Sequence, residues 1–221
     1  PNNFLYHNKG NGGFTKITEG NVVTDIGNSN SATWGDFNND GYLDLFVINE
    51  DEENNFLYKN YGNDNHWINI KLNGGGVNSA AIGARVKVKA NINGIDVWQL
   101  RELSGQTGKS SQNSLNAEFG LGNAQIIDSI IVKWPSGEDL DPLIEVVLLD
   151  VPVDTFLTIE DTRIPGCMDS DACNYNPAAE GNDGSCKYTD ECGECLGAST
   201  FNKYMDCNGI CFGQEGYIGQ F

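Results

Sequence analysis

The chain has 221 residues and carries 13 Lys plus Arg against 31 Asp plus Glu, a formal charge of −18 at pH 7. That balance repels phosphate backbones and anionic lipid, which argues against nucleic-acid and membrane-surface binding and makes cations the natural partners. No apolar run reaches the about 18 residues of a membrane-spanning helix, so direct membrane insertion is not expected, and a chain opening at Pro1 without a charged and then apolar leader reads as mature or truncated.

Residues 1–160 are rich in Gly and Asn, with short β-branched and aromatic runs between turn signals and almost no helical periodicity. That pattern predicts an all-β architecture. The clearest strand candidates are Leu43–Asn49, Trp67–Leu72, Ala84–Ala90, Asp96–Leu103, Ser129–Trp134 and Thr155–Ile159. A repeat opens the chain: residues 2–11, NNFLYHNKGN, recur as residues 54–63, NNFLYKNYGN, agreeing at 8 of 10 positions with an offset of 52. The offset lies near the about 40–50 residues of a four-stranded propeller blade. Propellers close with about 4–8 blades, so further blades upstream are expected.

Between the two copies stands Gly35-Asp36-Phe37-Asn38-Asn39-Asp40-Gly41-Tyr42-Leu43-Asp44. Oxygen-bearing side chains fall at loop positions one, three, five and nine, the spacing at which alternate residues of a tight loop turn carboxylates inward toward Ca²⁺. Gly41 lets the backbone turn so that the Tyr42 carbonyl adds a ligand. An EF-hand would need Glu at position twelve and a helix after it; position twelve is Val47, and Leu43–Ile48 reads as a strand, so the loop belongs in a β-hairpin. The rival is a metal-free Asp-Gly turn. The predicted metal ligands are Asp36, Asn38, Asp40, Tyr42 and Asp44, with Ca²⁺ as the cofactor.

With that loop, residues 1–63 resemble an FG-GAP or VCBS repeat of the integrin-like propeller type. The resemblance implies Ca²⁺ bound inside a blade by Asp36, Asn38, Asp40, Asp44 and the Tyr42 carbonyl. Asn38 stands where the family often has Asp, which lowers the charge of the site while keeping an oxygen.

Residues 64–162 carry a series of words in order: Ala81-Ile82-Gly83-Ala84-Arg85-Val86, Arg101-Glu102-Leu103-Ser104-Gly105, Ser111-Gln112-Asn113-Ser114, Phe119-Gly120-Leu121-Gly122 and Val132-Lys133-Trp134-Pro135-Ser136-Gly137. They resemble the ASPIC/UnbV domain that follows the propeller in proteins similar to cartilage acidic protein, a resemblance that implies architecture and no catalytic mechanism. Read as residues, the glycines permit turns and close strand contact, and Trp134 before Pro135 ends a strand in a buried aromatic. Arg85, Arg101 and Glu102 are expected to form a structural ion pair, with a binding site as the alternative.

Histidine bases are scarce: His7 is replaced by Lys59 in the repeat, and His66 precedes Trp67 at a strand start as a surface or rim residue. No Gly-x-Ser-x-Gly elbow, phosphate loop or His-Glu-x-x-His motif occurs. The chain is therefore expected not to be an enzyme. A polysaccharide hydrolase or lyase would announce itself by a cleft holding two carboxylates, one with a raised pKa.

All seven cysteines follow residue 166, at 167, 173, 186, 192, 195, 207 and 211. About 55 residues with few large apolar side chains build little core, and disulfides are the usual substitute in oxidising surroundings. The alternative is zinc on Cys192, Cys195, Cys207 and Cys211, whose paired spacing suits four thiolates. Calcium on Asp169, Asp171 and Asp183 is a weaker reading. An odd count leaves one cysteine free, paired with another chain or with a partner past Phe221. Residues 166–213 resemble cysteine-rich repeats of secreted surface proteins of marine Bacteroidota.

These readings give three segments: a propeller blade over residues 1–63, a β-sandwich-like domain over 64–162 and a disulfide-rich tail over 163–221. The expected function is a calcium-binding structural or adhesive module of a larger extracellular or cell-surface protein. Its partner would be a protein or glycan at the cell surface, or further copies of itself. The alternatives are a subunit of a surface appendage or filament, and a polysaccharide-acting module.

Overall fold

The computed structural model describes residues 2–75, 78–135, 145–189 and 195–196. The described chain is almost entirely β. In order, its elements are β1 (Leu5–Asn8), β2 (Phe14–Ile17), a helical turn α1 (Asn21–Thr24), β3 (Ser29–Gly35), β4 (Asp44–Asn49), β5 (Phe56–Tyr58), β6 (His66–Asn73), β7 (Arg85–Ile92), β8 (Ile95–Glu102), β9 (Ala117–Gly122), β10 (Ile126–Lys133), β11 (Glu145–Pro152), β12 (Thr155–Glu160), β13 (Pro165–Gly166), β14 (Gly181–Asn182), β15 (Tyr188–Thr189) and β16 (Cys195–Leu196). Each of the six predicted strands is present, with ends shifted by a few residues.

The opening repeat becomes a structural repeat. Its copies form β1 and β5, and each ends in the same turn: the Gly10 N–H donates to Asn8 Oδ1 at 2.9 Å, and the Gly62 N–H donates to Asn60 Oδ1 at 3.0 Å. Both glycines take a positive φ, 76° and 72°, which side-chain-bearing residues adopt only at a cost. Strand β1 pairs antiparallel with β2, while β5 is the edge of the sheet β3-β4-β5. The hairpin β3–β4 closes with Gly35 opposite Asp44, so the predicted metal loop is the hairpin connection itself.

Two further sheets follow, β11-β10-β7-β8 with four strands and β12-β6-β9 with three. Alternation along their strands explains the core. On β7, Val86, Val88 and Ala90 are buried while Arg85 and Lys87 are exposed; on β9, Ala117, Phe119 and Leu121 are buried while Glu118 and Gly120 are less covered. β9 went unpredicted because its glycines read as turn signals. They lie in the strand opposite β6, with a bulge where His66 and Trp67 face Gly122 and Gly120.

The described residues form two compact units. The first takes in those of residues 1–71, 82–132 and 146–158, and holds the hairpin with Leu45 and Val47 together with the core of Ile68, Ile70, Val86, Val88, Phe119, Leu121, Ile127 and Ile130. The second takes in those of residues 72–81, 133–145 and 159–221. Its buried residues include Ala81, Trp134, Ile159, Cys167 and Ala172, so Trp134 is the strand-ending buried aromatic that the sequence suggested. Disulfides join Cys167 to Cys186 and Cys173 to Cys195. Cys195 is thereby spent, which removes one thiolate of the alternative zinc site; Cys192, Cys207 and Cys211 lie outside the described residues.

Candidate functional site

The loop after β3 is organised by its own acids. Asp36 accepts from the Asp40 N–H at 3.1 Å and the Gly41 N–H at 2.7 Å. Asp40 accepts from the Tyr42 N–H at 3.1 Å and from the Asn38 amide at 2.7 Å. Asp44, 2 % exposed, accepts from the Phe37 N–H at 3.2 Å and the Asn60 N–H at 2.7 Å, tying the loop to the turn after β5. Asn39 and Gly41 take positive φ, 56° and 89°, and a Cβ at Gly41 would meet Trp67 at 1.9 Å, so only glycine fits there. The Asn38 amide, then the Tyr42 N–H and the charge of Lys59 3.5 Å away, hold the Asp40 carboxyl below its usual range against the opposing effect of burial.

All five predicted ligand residues thus sit in one hairpin connection. Their donor set is oxygen only, as a hard dication prefers. Asn38 Oδ1 is buried and has no hydrogen-bond partner, a cost that a cation would relieve. Among the described residues, however, no three His, Cys, Asp or Glu side chains are gathered closely enough to share one cation as they stand. Closure on a metal therefore requires side-chain rotation within the loop. The weaker tail candidate is built from turns: Asp169 accepts from Tyr188 Oη and the Asp171 N–H, and Asp183 accepts from the Ser185 N–H.

Beside the loop, within the same compact unit, lies a group of clefts, of which the sequence indicated only Arg101 and Glu102, in the alternative reading of those residues as a binding site. Asp36, Asp44, Trp34, Asn113 and Glu118 line one of about 350 Å³, and Trp34, Arg101, Asn113, Asn116 and Glu118 line another of about 500 Å³. Burial, joined by the negative charge of Asp36, pushes the Glu118 carboxyl from 4.5 up to about 7, against a hydrogen bond from Ser114 and the attraction of Arg101. Glu118 Oε1 is buried without a partner. Nothing in the sequence marks Glu118, since any polar residue could alternate with Ala117, Phe119 and Leu121 on a half-buried strand.

A carboxyl whose folded pKa is raised takes up a proton on folding between its unfolded and folded values, so stability falls as pH rises through the window from 4.5 to about 7. Glu118→Gln, which keeps the shape and stays neutral, is expected to match the parent near pH 4.5 and exceed it at pH 8. The gain, discounted for solvent screening on the open side of the cleft, is about 1–2 kcal/mol. Urea unfolding at the two pH values measures it; equal differences at both would show that the carboxyl ionises freely.

Of the charged residues singled out from the sequence, Arg85 and Glu102 form an exposed ion pair at 2.8 Å. Arg101 turns away from them, donating to the Glu118 carbonyl at 3.1 Å and the Leu100 carbonyl at 2.9 Å and lying 4.8 Å over the Phe119 ring. His7 is exposed on β1. His66 Nδ1 meets Asp154 Oδ2 at 2.7 Å, and the other Asp154 oxygen accepts from the Trp67 N–H, an arrangement that fastens the start of β6.

Two family models match the sequence: one described as an FG-GAP-like repeat over residues 1–47, and one described as ASPIC and UnbV over residues 74–164. No curated protein matches the chain. No helix of the described residues is long and apolar enough to cross a membrane.

Proposed function

We propose that this chain, which carries an FG-GAP-like repeat followed by an ASPIC and UnbV domain, is a calcium-stiffened adhesive or structural module of an extracellular or cell-surface protein. The observation that carries the reading is the β3–β4 connection, where three carboxylates and a partnerless buried amide oxygen occupy one tight loop. Asp36, Asn38, Asp40 and Asp44, with the Tyr42 carbonyl, would hold Ca²⁺, which neutralises the acids and fixes the hairpin. The disulfides Cys167–Cys186 and Cys173–Cys195 support an oxidising, extracellular setting.

Thermal unfolding in EDTA, followed by titration with Ca²⁺ or Mg²⁺ under non-reducing conditions, tests this. A ligand bound only by the folded state at a hundredfold over its Kd stabilises by about 2.7 kcal/mol, a midpoint rise of roughly 5–10 °C for a chain of this size. The expected outcome is that rise with Ca²⁺ and little change with Mg²⁺. No shift with either ion makes the loop a metal-free turn.

One observation favours a second reading, a polysaccharide-acting enzyme: Glu118, with its raised pKa, shares the cleft of about 350 Å³ with Asp36. Calcium on Asp36 would oppose it twice, by occupying one carboxylate and by removing the repulsion that helps keep Glu118 protonated. Release of reducing ends from neutral polysaccharide, abolished in Glu118→Gln, would establish it.

A further inference from the structure

The larger cleft, of about 500 Å³, falls within the about 300–1,000 Å³ typical of small-ligand sites. Its walls are held from several directions. Trp34, 38 % exposed at the end of β3, is clamped through its backbone: its N–H donates to Asn113 Oδ1 at 3.0 Å, and its carbonyl accepts from the Ser114 N–H at 3.0 Å. Thr33 Oγ1 donates to the Gln112 carbonyl, and the Asn113 N–H donates to Thr107 Oγ1 at 2.8 Å, so the facing loop is fastened to the strand that carries the indole. The Arg101 guanidinium is fixed through Nε and Nη1, while Nη2 makes no hydrogen bond among the described residues. The side chain of Asn116 likewise makes none, and Asn113 keeps its amide nitrogen unspent.

The cleft therefore offers an indole on a backbone fastened to the facing loop, a planar guanidinium with an unused donor pair, and two amides. Arg101 and Glu118 both line it, and the raised pKa of Glu118 leaves the Arg101 charge only partly offset. An aromatic face takes the C–H face of a sugar ring, while planar amide and guanidinium groups bond neighbouring hydroxyls in pairs. The −18 charge of the chain acts at longer range, repelling sulfated or uronic polymers from the approach. We propose that this cleft is a binding subsite for a neutral, hexose-based glycan, with Trp34 as the stacking platform and Arg101, Asn113 and Asn116 as the hydroxyl-bonding groups. The inference deepens the adhesive reading and rests on it, but it uses none of the loop's metal ligands.

The test is calorimetric titration of the intact chain with neutral hexasaccharides (cello-, laminari- and manno-oligosaccharides), with heparin and hyaluronan hexasaccharides as anionic comparators. At least one neutral probe is expected to bind with a sub-millimolar Kd, and both anionic probes more than about tenfold more weakly. Trp34→Ala is expected to weaken binding by about tenfold or more, and Trp98→Ala, on β8 outside the cleft and 51 % exposed, to leave it unchanged. Should Trp34→Ala fail to fold, Asn116→Ala takes its place with an expected weakening of about three- to tenfold. Absence of neutral binding, equal or tighter binding of the anionic probes, or a loss that follows Trp98→Ala overturns the proposal. Release of reducing ends during the titration also overturns it, because the cleft would then be an active site. Repeating the titration in Ca²⁺ and in EDTA separates the two readings: glycan binding without a calcium-dependent midpoint sinks only the metal, and a calcium-dependent midpoint without glycan binding sinks only the cleft.

Discussion

Asp44→Ala is expected to lower stability by about 2–5 kcal/mol and to do so in EDTA as well as in Ca²⁺. The side chain is 2 % exposed, and its two oxygens each accept a backbone N–H, from Phe37 at 3.2 Å and from Asn60 at 2.7 Å. Removing it orphans two donors at the base of the loop and detaches the hairpin connection from the turn after β5. A buried donor left without a partner costs about 1–3 kcal/mol, and because Phe37 and Asn60 are exposed and water partly reaches their N–H groups, the loss falls toward the low end of the range. Asn38→Ala provides the contrast. The Asn38 amide spends one donor on Asp40, so its loss in EDTA is expected to be within about 1 kcal/mol, with the larger effect on the calcium-dependent part of the midpoint. Urea unfolding of both variants, with and without Ca²⁺, separates the scaffold role of Asp44 from the ligand role proposed for Asn38. Equal calcium responses in the parent and Asn38→Ala would remove Asn38 from the ligand set.

Arg163→Ala is expected to cost the second compact unit about 3–5 kcal/mol, because it strands a buried carboxylate. Arg163 grips Asp161 with two bonds, Nε to Oδ1 at 2.8 Å and Nη2 to Oδ2 at 2.7 Å, and the two side chains are 11 % and 5 % exposed. Burial alone would raise the Asp161 carboxyl. Hydrogen bonds from the Arg163 side chain and N–H, the Arg163 charge and the Gly75 N–H outweigh it and hold the carboxyl below the ordinary 3.8. A depressed folded pKa means that the contribution is complete above the unfolded value and lost as pH falls through the folded one. The gap between the parent and Asp161→Asn is therefore expected to be widest at neutral pH and to close as the solution is acidified below about pH 4. Trp134, whose ring lies 5.9 Å from the Arg163 guanidinium, supplies a fluorescence probe inside that unit. A gap independent of pH would show that packing of the arginine stem, rather than the charge pair, supplies the stability.

Particular residues show how far local pattern reaches. The repeat at residues 2–11 and 54–63 was legible down to its turns, because an Asn two residues before a Gly closes the same ring of atoms wherever it occurs. The strands around Val86 and Ile68 were legible because alternation along a strand is itself a period in the sequence. β3, rich in Ser and Asn, was not: its strand state comes from pairing with β4 and not from its own side chains. The concentration of cysteines foretold disulfides but not their partners, since six cysteines already allow 15 pairings.

The five acids, amides and carbonyl of the loop could be listed from spacing alone because they lie within nine residues and their geometry is set by one turn. The cleft could not. Trp34, Arg101, Asn116 and Glu118 come from β3, β8, a loop and β9, and they meet only after the strands have paired and packed. The raised pKa of Glu118 has the same origin, arising from the burial that folding imposes and from a charge on Asp36, 82 positions earlier in the chain. Periodic and local features (strands, turns, loop acids and the cysteine-rich tail) are set by neighbours along the backbone and so can be read from residue order. Which side chains share a cleft, and which carboxyl has its pKa raised, follow only from the packed fold, because burial and electrostatic fields depend on distance in space.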